Sequence, residues 1–169
     1  MKKSRKPNAF DADAVVIGAG AAGLVSSIIF AGGHGEVVLI EQDKMGGDCL
    51  NTGCIPSKSL IRSARLMFDL NRASEFGIEV GEKKLNFGKV MERIEKVIKS
   101  IEPHDSSERL TSLGVKCIKG SAKIESPYLV SVNGKMISTR TIIVATGASP
   151  ILPPIHGLES VDFLTSASV

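Results

Sequence analysis

The sequence predicts an α/β fold: a parallel sheet with flanking helices, followed by a small antiparallel β-meander. Three observations predict it. Two short apolar runs, residues 14–17 and 37–40, bracket a glycine-rich turn and a helical stretch, the pattern of a parallel strand pair with a right-handed crossover. After Gly114 the apolar period shortens from that of helices to that of strands. Seventeen glycines in 169 residues, with only 4% aromatic content, suit a chain with several tight backbone approaches.

The elements follow in order. Lys2, Lys3, Arg5 and Lys6 make residues 1–12 a flexible, solvated basic tail. A strand at 14–17 leads into a helix at 19–30 and a second strand at 37–40, closed by Glu41. A glycine-rich loop at 45–53 precedes a helix from about Cys54 to Leu70. Val90, Ile94, Val97, Ile98 and Ile101 share one face of a further helix. Pro103 ends or kinks it, residues 106–113 resume it, and Gly114 caps it. Four short strands follow at 115–118, 122–125, 128–132 and 135–138, with Asn133-Gly134 as a hairpin turn between the last two. A core strand at 141–144 runs into Ala145-Thr146-Gly147, and Pro150, Pro153 and Pro154 make the remainder an extended linker.

Composition narrows the function classes. The length suits one domain with a packed core. A net charge of +3, one Tyr and no Trp give little with which to bind nucleic acid. No run approaches the roughly 18 apolar residues that span a bilayer. Residues 15–31 are broken by Gly18, Gly20 and Gly23, and Asp11 and Asp13 speak against a secretory signal, so no membrane partner and a cytoplasmic location are expected. Cys49, Cys54 and Cys117 are too few for a secreted disulfide scaffold.

Residues 18–23, Gly-Ala-Gly-Ala-Ala-Gly, fit the dinucleotide fingerprint G-x-G-x-x-G. The first glycine makes the tight turn, the second admits a pyrophosphate, and the third lets helix and strand pack. Glu41 lies 18 residues beyond Gly23, where a carboxylate accepts hydrogen bonds from a ribose diol. On these residues alone the ligand is FAD or NAD.

The cysteine-bearing stretch from Gly46 to Lys58 is the most informative. Four residues separate Cys49 from Cys54, and Gly53 among the turn formers allows their close approach. Cys54 opens a helix, with Pro56 in its first turn. A helix N-terminus stabilises a thiolate, and Lys58 adds positive charge one turn on. These features describe an activated dithiol. Two cysteines with the scattered His34, His104 and His156 do not furnish a four-ligand zinc site, so no metal site is expected. Cys117 reads as a small core residue.

This stretch resembles the active-site signature of the class I pyridine nucleotide–disulfide oxidoreductases, which include dihydrolipoyl dehydrogenase, glutathione reductase and mercuric reductase. Gly18 to Gly23, Glu41, residues 120–122 (Gly-Ser-Ala) and residues 145–147 (Ala-Thr-Gly) fall in that family's order and spacing. The resemblance implies a Rossmann-like FAD-binding domain. FAD would be held at Gly18, Gly20, Gly23 and Glu41, with Gly47 and Asp48 in the cysteine loop, Ala122 at the adenine end, and Thr146 and Gly147 lining the cofactor. It implies that Cys54 is the charge-transfer thiol, Cys49 the interchange thiol and Lys58 a neighbour of the flavin. Electrons would pass between NAD(P)H, FAD and a Cys49–Cys54 redox disulfide to a small-molecule disulfide, dithiol or metal-ion substrate. Asp48 departs from the threonine of many relatives, and with residues 103–109 it points toward mercuric-reductase-like members.

The family also carries a second fingerprint for NAD(P)H, a later Gly-Asp segment, and a dimerisation domain with a His/Glu pair. No histidine here has Glu five residues on. The chain is therefore expected to comprise the tail at 1–12, an incomplete FAD-binding domain at 13–149, and a linker at 150–169 toward an NAD(P)-binding domain. The full-length parent is expected to be a homodimer, and the isolated chain to lack turnover. The alternative is a non-catalytic nucleotide-binding module whose thiols act as a sensor. An NAD-binding dehydrogenase domain is disfavoured by the cysteine signature and by residues 120–122.

Overall fold

The structure, a computed structural model, describes residues 9–165; the basic cluster at Lys2, Lys3, Arg5 and Lys6 lies outside the described residues. Strand β1 (Ala12–Ile17) leads through helix α1 (Ala21–Gly32) to β2 (Val37–Glu41). Helices α2 (Gly47–Asn51), α3 (Cys54–Asn71), α4 (Phe87–Ile101) and α5 (Ser107–Ser112) follow. Strands β3 (Val115–Lys119), β4 (Ala122–Ser126), β5 (Leu129–Val132) and β6 (Lys135–Val144) complete the sheet.

The strand order is β3-β2-β1-β6-β5-β4, parallel from β3 to β6 and antiparallel from β6 to β4. This is the α/β arrangement expected. Because successive residues of a strand point to opposite faces, the apolar runs of β1 and β2 fill two cores. Val15, Ile17, Val38 and Ile40 pack with Val130, Val132 and Ile137 of the meander. Val16, Val37 and Leu39 pack with Leu24 of α1 and Leu110 of α5.

Several boundaries differ from the sequence reading, each for a physical reason. Ala12, assigned to the tail, is buried in β1, and the preceding Asp11 accepts hydrogen bonds from the Ser138 backbone and hydroxyl at 2.8 and 2.7 Å. Helix α1 starts at Ala21 because Gly18 takes φ +101° and Gly20 is extended. The loop at 45–53 contains the short helix α2. The two strands expected at 135–138 and 141–144 are one ten-residue strand, β6, which pairs first with β5 and then with β1. Thr139 passes through the core there with its hydroxyl donated to the Thr141 carbonyl at 2.9 Å.

Other expectations hold. Asn133 and Gly134 both have positive φ, +49° and +75°, as a type I′ hairpin turn requires. Pro103 lies in a 3₁₀ turn, Glu102–Asp105, that separates α4 from α5. Gly114, at φ +90°, follows the end of α5. Side chains cap both helices at their starts: Asn86 Oδ1 accepts from the Lys89 amide and Ser106 Oγ from the Arg109 amide. Helix α4 packs on α3, Ile94 of α4 is buried, and Arg93 donates to the Ser59 carbonyl at 3.2 Å. Beyond β6 the chain has no strand or helix until a 3₁₀ turn, Leu158–Ser160.

Candidate functional site

The four parallel strands end level with one another: Ile17 beside Ile40 and Val144, and Glu41 beside Lys119. The chain forks at β1, which leads to β2 and β3 on one side while β6 returns on the other. Ligands of open α/β sheets bind in the crevice beyond the carboxyl ends at such a fork. A cleft of about 720 Å³ lies there, walled by Gly18, Gly20, Glu41, Gly47, Asp48, Cys49, Thr146 and Gly147, among others.

The fingerprint glycines divide into two kinds. A Cβ on Gly18 would stand 2.4 Å from the Ala145 carbonyl oxygen, and one on Gly23 would stand 1.8 Å from the Gly18 oxygen. Those two positions are glycine because the backbones touch, and Gly23 packs α1 on the sheet without lining the cleft. Gly20 has φ −75°, open to any residue, and a Cβ there would find only Gly47 Cα, at 3.9 Å. No protein atom requires glycine at position 20. A side chain would instead intrude beside the cleft, at the start of a helix with no side-chain cap and no acidic residue in its first turn. Such a terminus presents unpaired amides and the positive dipole end to an anion.

Glu41 closes β2 with its carboxylate oriented from both sides. One oxygen accepts from the Ala19 amide at 2.6 Å and the other from the Asp43 amide at 2.7 Å. A carboxylate has about four acceptor sites, so two remain for a diol. The Glu41 carbonyl accepts from the Gly120 amide at 2.8 Å, which brings the start of β4 past the end of β2. Ala122 itself pairs with Val132, packs against the core and lies outside the cleft lining. A second cavity of about 510 Å³ adjoins Glu41 and includes Asn51, Ser106 and Cys117 in its wall. Burial pushes the Cys117 thiol up.

The cysteine loop meets the glycine loop directly. Gly47 has φ +54°, and a Cβ there would stand 2.6 Å from Gly20 Cα. The Gly46 amide donates to the Ala19 carbonyl at 3.0 Å. Cys49 lies within α2 and Cys54 is the first residue of α3, joined by a turn in which the Thr52 and Gly53 amides both donate to the Asp48 carbonyl. Helix α3 has no side-chain cap and no acid in its first turn. Cys49, half-buried, lines the cleft, whereas Cys54 and Lys58 are exposed and lie outside its lining.

All three cysteines are free thiols. The neighbouring Cys54 thiol, acting first as a hydrogen-bonding partner, pushes the Cys49 pKa above the ordinary thiol range. Burial and the charge of Cys54 add to this, Asp105 contributes in the same direction, and Lys58 opposes it. The two cysteines thus flank one short turn, with Cys54 close enough to influence the ionisation of Cys49. Asn51, which sequence reasoning passed over, donates from one side-chain nitrogen to the Met45 and Gly47 carbonyls at 3.0 and 2.8 Å. An amide side chain inside a glycine-rich turn is the signal that identifies such a residue. Among the described residues, no group of three or more His, Cys, Asp or Glu side chains is placed to hold a metal ion, and no helix is long and apolar enough to cross a membrane.

Comparisons with known proteins bear on this arrangement. The sequence profile of the family described as pyridine nucleotide-disulphide oxidoreductase matches residues 12–169. Mercuric reductase of Lysinibacillus sphaericus is 33% identical over 158 residues, which are 93% of this chain and 29% of the relative. Dihydrolipoyl dehydrogenase of Acholeplasma laidlawii is 34% identical over 146 residues, 86% of this chain and 43% of the relative. Among solved structures, the Cu(II) complex of an HOCl-induced flavoprotein disulfide reductase from Escherichia coli superposes with a TM-score of 0.68 at 27% identity, covering 87% of this chain and 30% of that one. The chain therefore spans less than half the length of these relatives.

Proposed function

The chain belongs to the pyridine nucleotide-disulphide oxidoreductase family, and on that premise we propose that it forms the FAD-binding and redox-dithiol part of a flavoprotein oxidoreductase. The observation that carries this reading is the contact between the two glycine turns at Gly20 and Gly47, which puts the start of α1 and Cys49 on one cleft.

The residues present fit FAD. Gly20 leaves a cradle that a Cβ would fill, the uncapped start of α1 suits an anion, and the oriented Glu41 carboxylate suits a ribose diol. Thr146, Gly147, Gly47 and Asp48 complete the wall, with Gly18 and Gly23 shaping the turn beneath. Gly120 to Ala122 run past the end of β2, in keeping with an adenine contact through backbone. Bound FAD supplies two-electron exchange between a nicotinamide dinucleotide and the dithiol.

The chemistry of the chain itself is that of Cys49 and Cys54. Toward a disulfide acceptor, the Cys49 sulfur attacks as thiolate and displaces one thiolate, forming a mixed disulfide. The Cys54 sulfur then attacks Cys49, the mixed bond breaks, and the second thiolate leaves. Two electrons pass to the acceptor, the two thiol protons go to the departing thiolates, and the Cys49–Cys54 disulfide remains. Lys58 favours ionisation of Cys49, against the pull of Cys54 and of burial. A soft metal ion held by both thiolates is the other acceptor class compatible with this pair. NAD(P)H use, a homodimeric full-length parent and a cytoplasmic location complete the proposal.

Flavin fluorescence during titration of FAD with the purified chain tests it. Saturable quenching that Glu41→Gln weakens and excess NAD⁺ leaves unchanged is the expected result. Preferential binding of NAD⁺, or no uptake of either nucleotide, would overturn it.

A further inference from the structure

We infer that Asn51 is a positioning residue that locks the nucleotide turn and the dithiol into one rigid unit. The inference rests on the dithiol reading above and extends it to a residue outside the cysteine pair and the glycine fingerprint.

Asn51 is the last residue of α2, two positions after Cys49 and three before Cys54. Its side-chain nitrogen spans the turn, donating to the Met45 carbonyl at 3.0 Å and the Gly47 carbonyl at 2.8 Å. Between those carbonyls lie Gly46 and Gly47, at φ +84° and +54°, a sequence of left-handed residues with high conformational freedom. The same turn is fastened to the fingerprint by the Gly46 amide on the Ala19 carbonyl, and it presses Gly47 on Gly20. One amide group therefore holds the floor of the cleft and the helix that carries Cys49. Asn51 also lines both the 720 Å³ cleft and the 510 Å³ cavity beside it, so it stands at their junction.

The chemistry of the bond is specific. Two carbonyl oxygens can be held together only by a donor, and the amide NH₂ supplies two. An aspartate of the same shape has no donor when ionised and repels both oxygens; protonated, it can donate to one. Loss of the clamp frees the Cys49 helix relative to Cys54, which lowers the effective concentration of one thiol at the other.

The test is a glutathione redox titration of the full chain without added nucleotide. In it the Cys49 and Cys54 thiols and one oxidised glutathione give the Cys49–Cys54 disulfide and two reduced glutathiones. Mass spectrometry after acid quench and alkylation reads the ratio. Asn51→Asp is expected to lower the equilibrium constant about tenfold or more relative to wild type at pH 8. The ratio of the two constants should return toward one as the pH falls and the carboxyl protonates. That pH signature is one a general loosening of the fold does not produce. Asn133→Asp, which removes the donor to the Lys119 carbonyl in the hairpin turn, serves as the matched control and should leave the constant unchanged. An Asn51→Asp chain indistinguishable from wild type at every pH, or a deficit that does not vary with pH or that Asn133→Asp shares, overturns the inference. A wild-type chain that forms no intramolecular disulfide overturns instead the dithiol reading on which it rests.

Discussion

Replacing Gly20 and Gly23 separately by alanine distinguishes a glycine that a ligand requires from one that the fold requires. At Gly23 the new Cβ would stand 1.8 Å from the Gly18 carbonyl oxygen, a backbone atom that cannot rotate aside. Helix α1 must lift from the sheet, an overpacking cost of about 3 kcal/mol or more. In a domain of this size that lowers Tm by roughly 6–12 °C. At Gly20 the nearest atom to the new Cβ is 3.9 Å away and φ is −75°. Alanine is the poorer helix cap, by a few tenths to about 1 kcal/mol. It also removes about 0.4–1 kcal/mol of unfolded-state entropy, so the two terms nearly cancel. The methyl group would nonetheless crowd the cleft, and FAD affinity should fall about tenfold, or roughly 1.4 kcal/mol. Urea unfolding followed by circular dichroism measures the first effect, and flavin fluorescence titration the second. Equal destabilisation by the two substitutions, or unaltered FAD affinity in Gly20→Ala, would falsify the division of these glycines into two kinds.

Substitutions at Cys54 and Asn86 have equally definite outcomes. Cys54→Ala removes the neighbour that most strongly raises the Cys49 pKa, so alkylation of Cys49 by iodoacetamide, mapped by residue, should reach half-maximal rate at a lower pH than in wild type. The sign for stability follows from the raised value: the contribution is complete below the unfolded thiol pKa and is lost as pH rises through the folded one. The alkaline decline in stability should therefore be shallower in Cys54→Ala, and an unmoved alkylation midpoint would contradict the influence of Cys54 on Cys49. Asn86→Ala removes the side-chain acceptor at the start of α4 and should cost about 1 kcal/mol, or roughly 2–4 °C in Tm, by thermal unfolding; an unchanged Tm would show that the cap contributes nothing.

The parts of the molecule legible in the sequence were those whose signals are local. Gly18, Gly20 and Gly23 stand between two apolar runs, and spacing alone places them at a strand–helix junction. Asn133-Gly134 names its own turn type for the same reason. What escaped was decided by contacts between distant segments. Residues 46–51 read as loop because glycine disfavours helix, yet α2 forms, held by Gly47 on Gly20 and by Asn51 on the Met45 and Gly47 carbonyls. Residues 139 and 140 read as a polar break between two strands. Thr139 in fact crosses the core with its hydroxyl satisfied, and Arg140 reaches Asp13 of β1 at 3.0 Å, so the strand continues. Ala12 was lost to the tail because a single alanine beside aspartates carries no periodic signal; its burial comes from β6.

The pairing of β1 with β6 has a consequence for the order in which the molecule assembles. Val15 is hydrogen-bonded in register beside Ile142, more than a hundred residues later in the chain, while its other neighbour, Val38 of β2, is close in sequence. Closing so large a loop before its contacts reward it is slow. On a ribosome, β1, α1 and β2 therefore emerge and wait with one edge of the central strand unpaired until β6 has been synthesised. The Ala145 wall of the cleft beyond the strand ends is among the last parts to be built. During that interval the apolar edge of β1 is open to pairing with other chains.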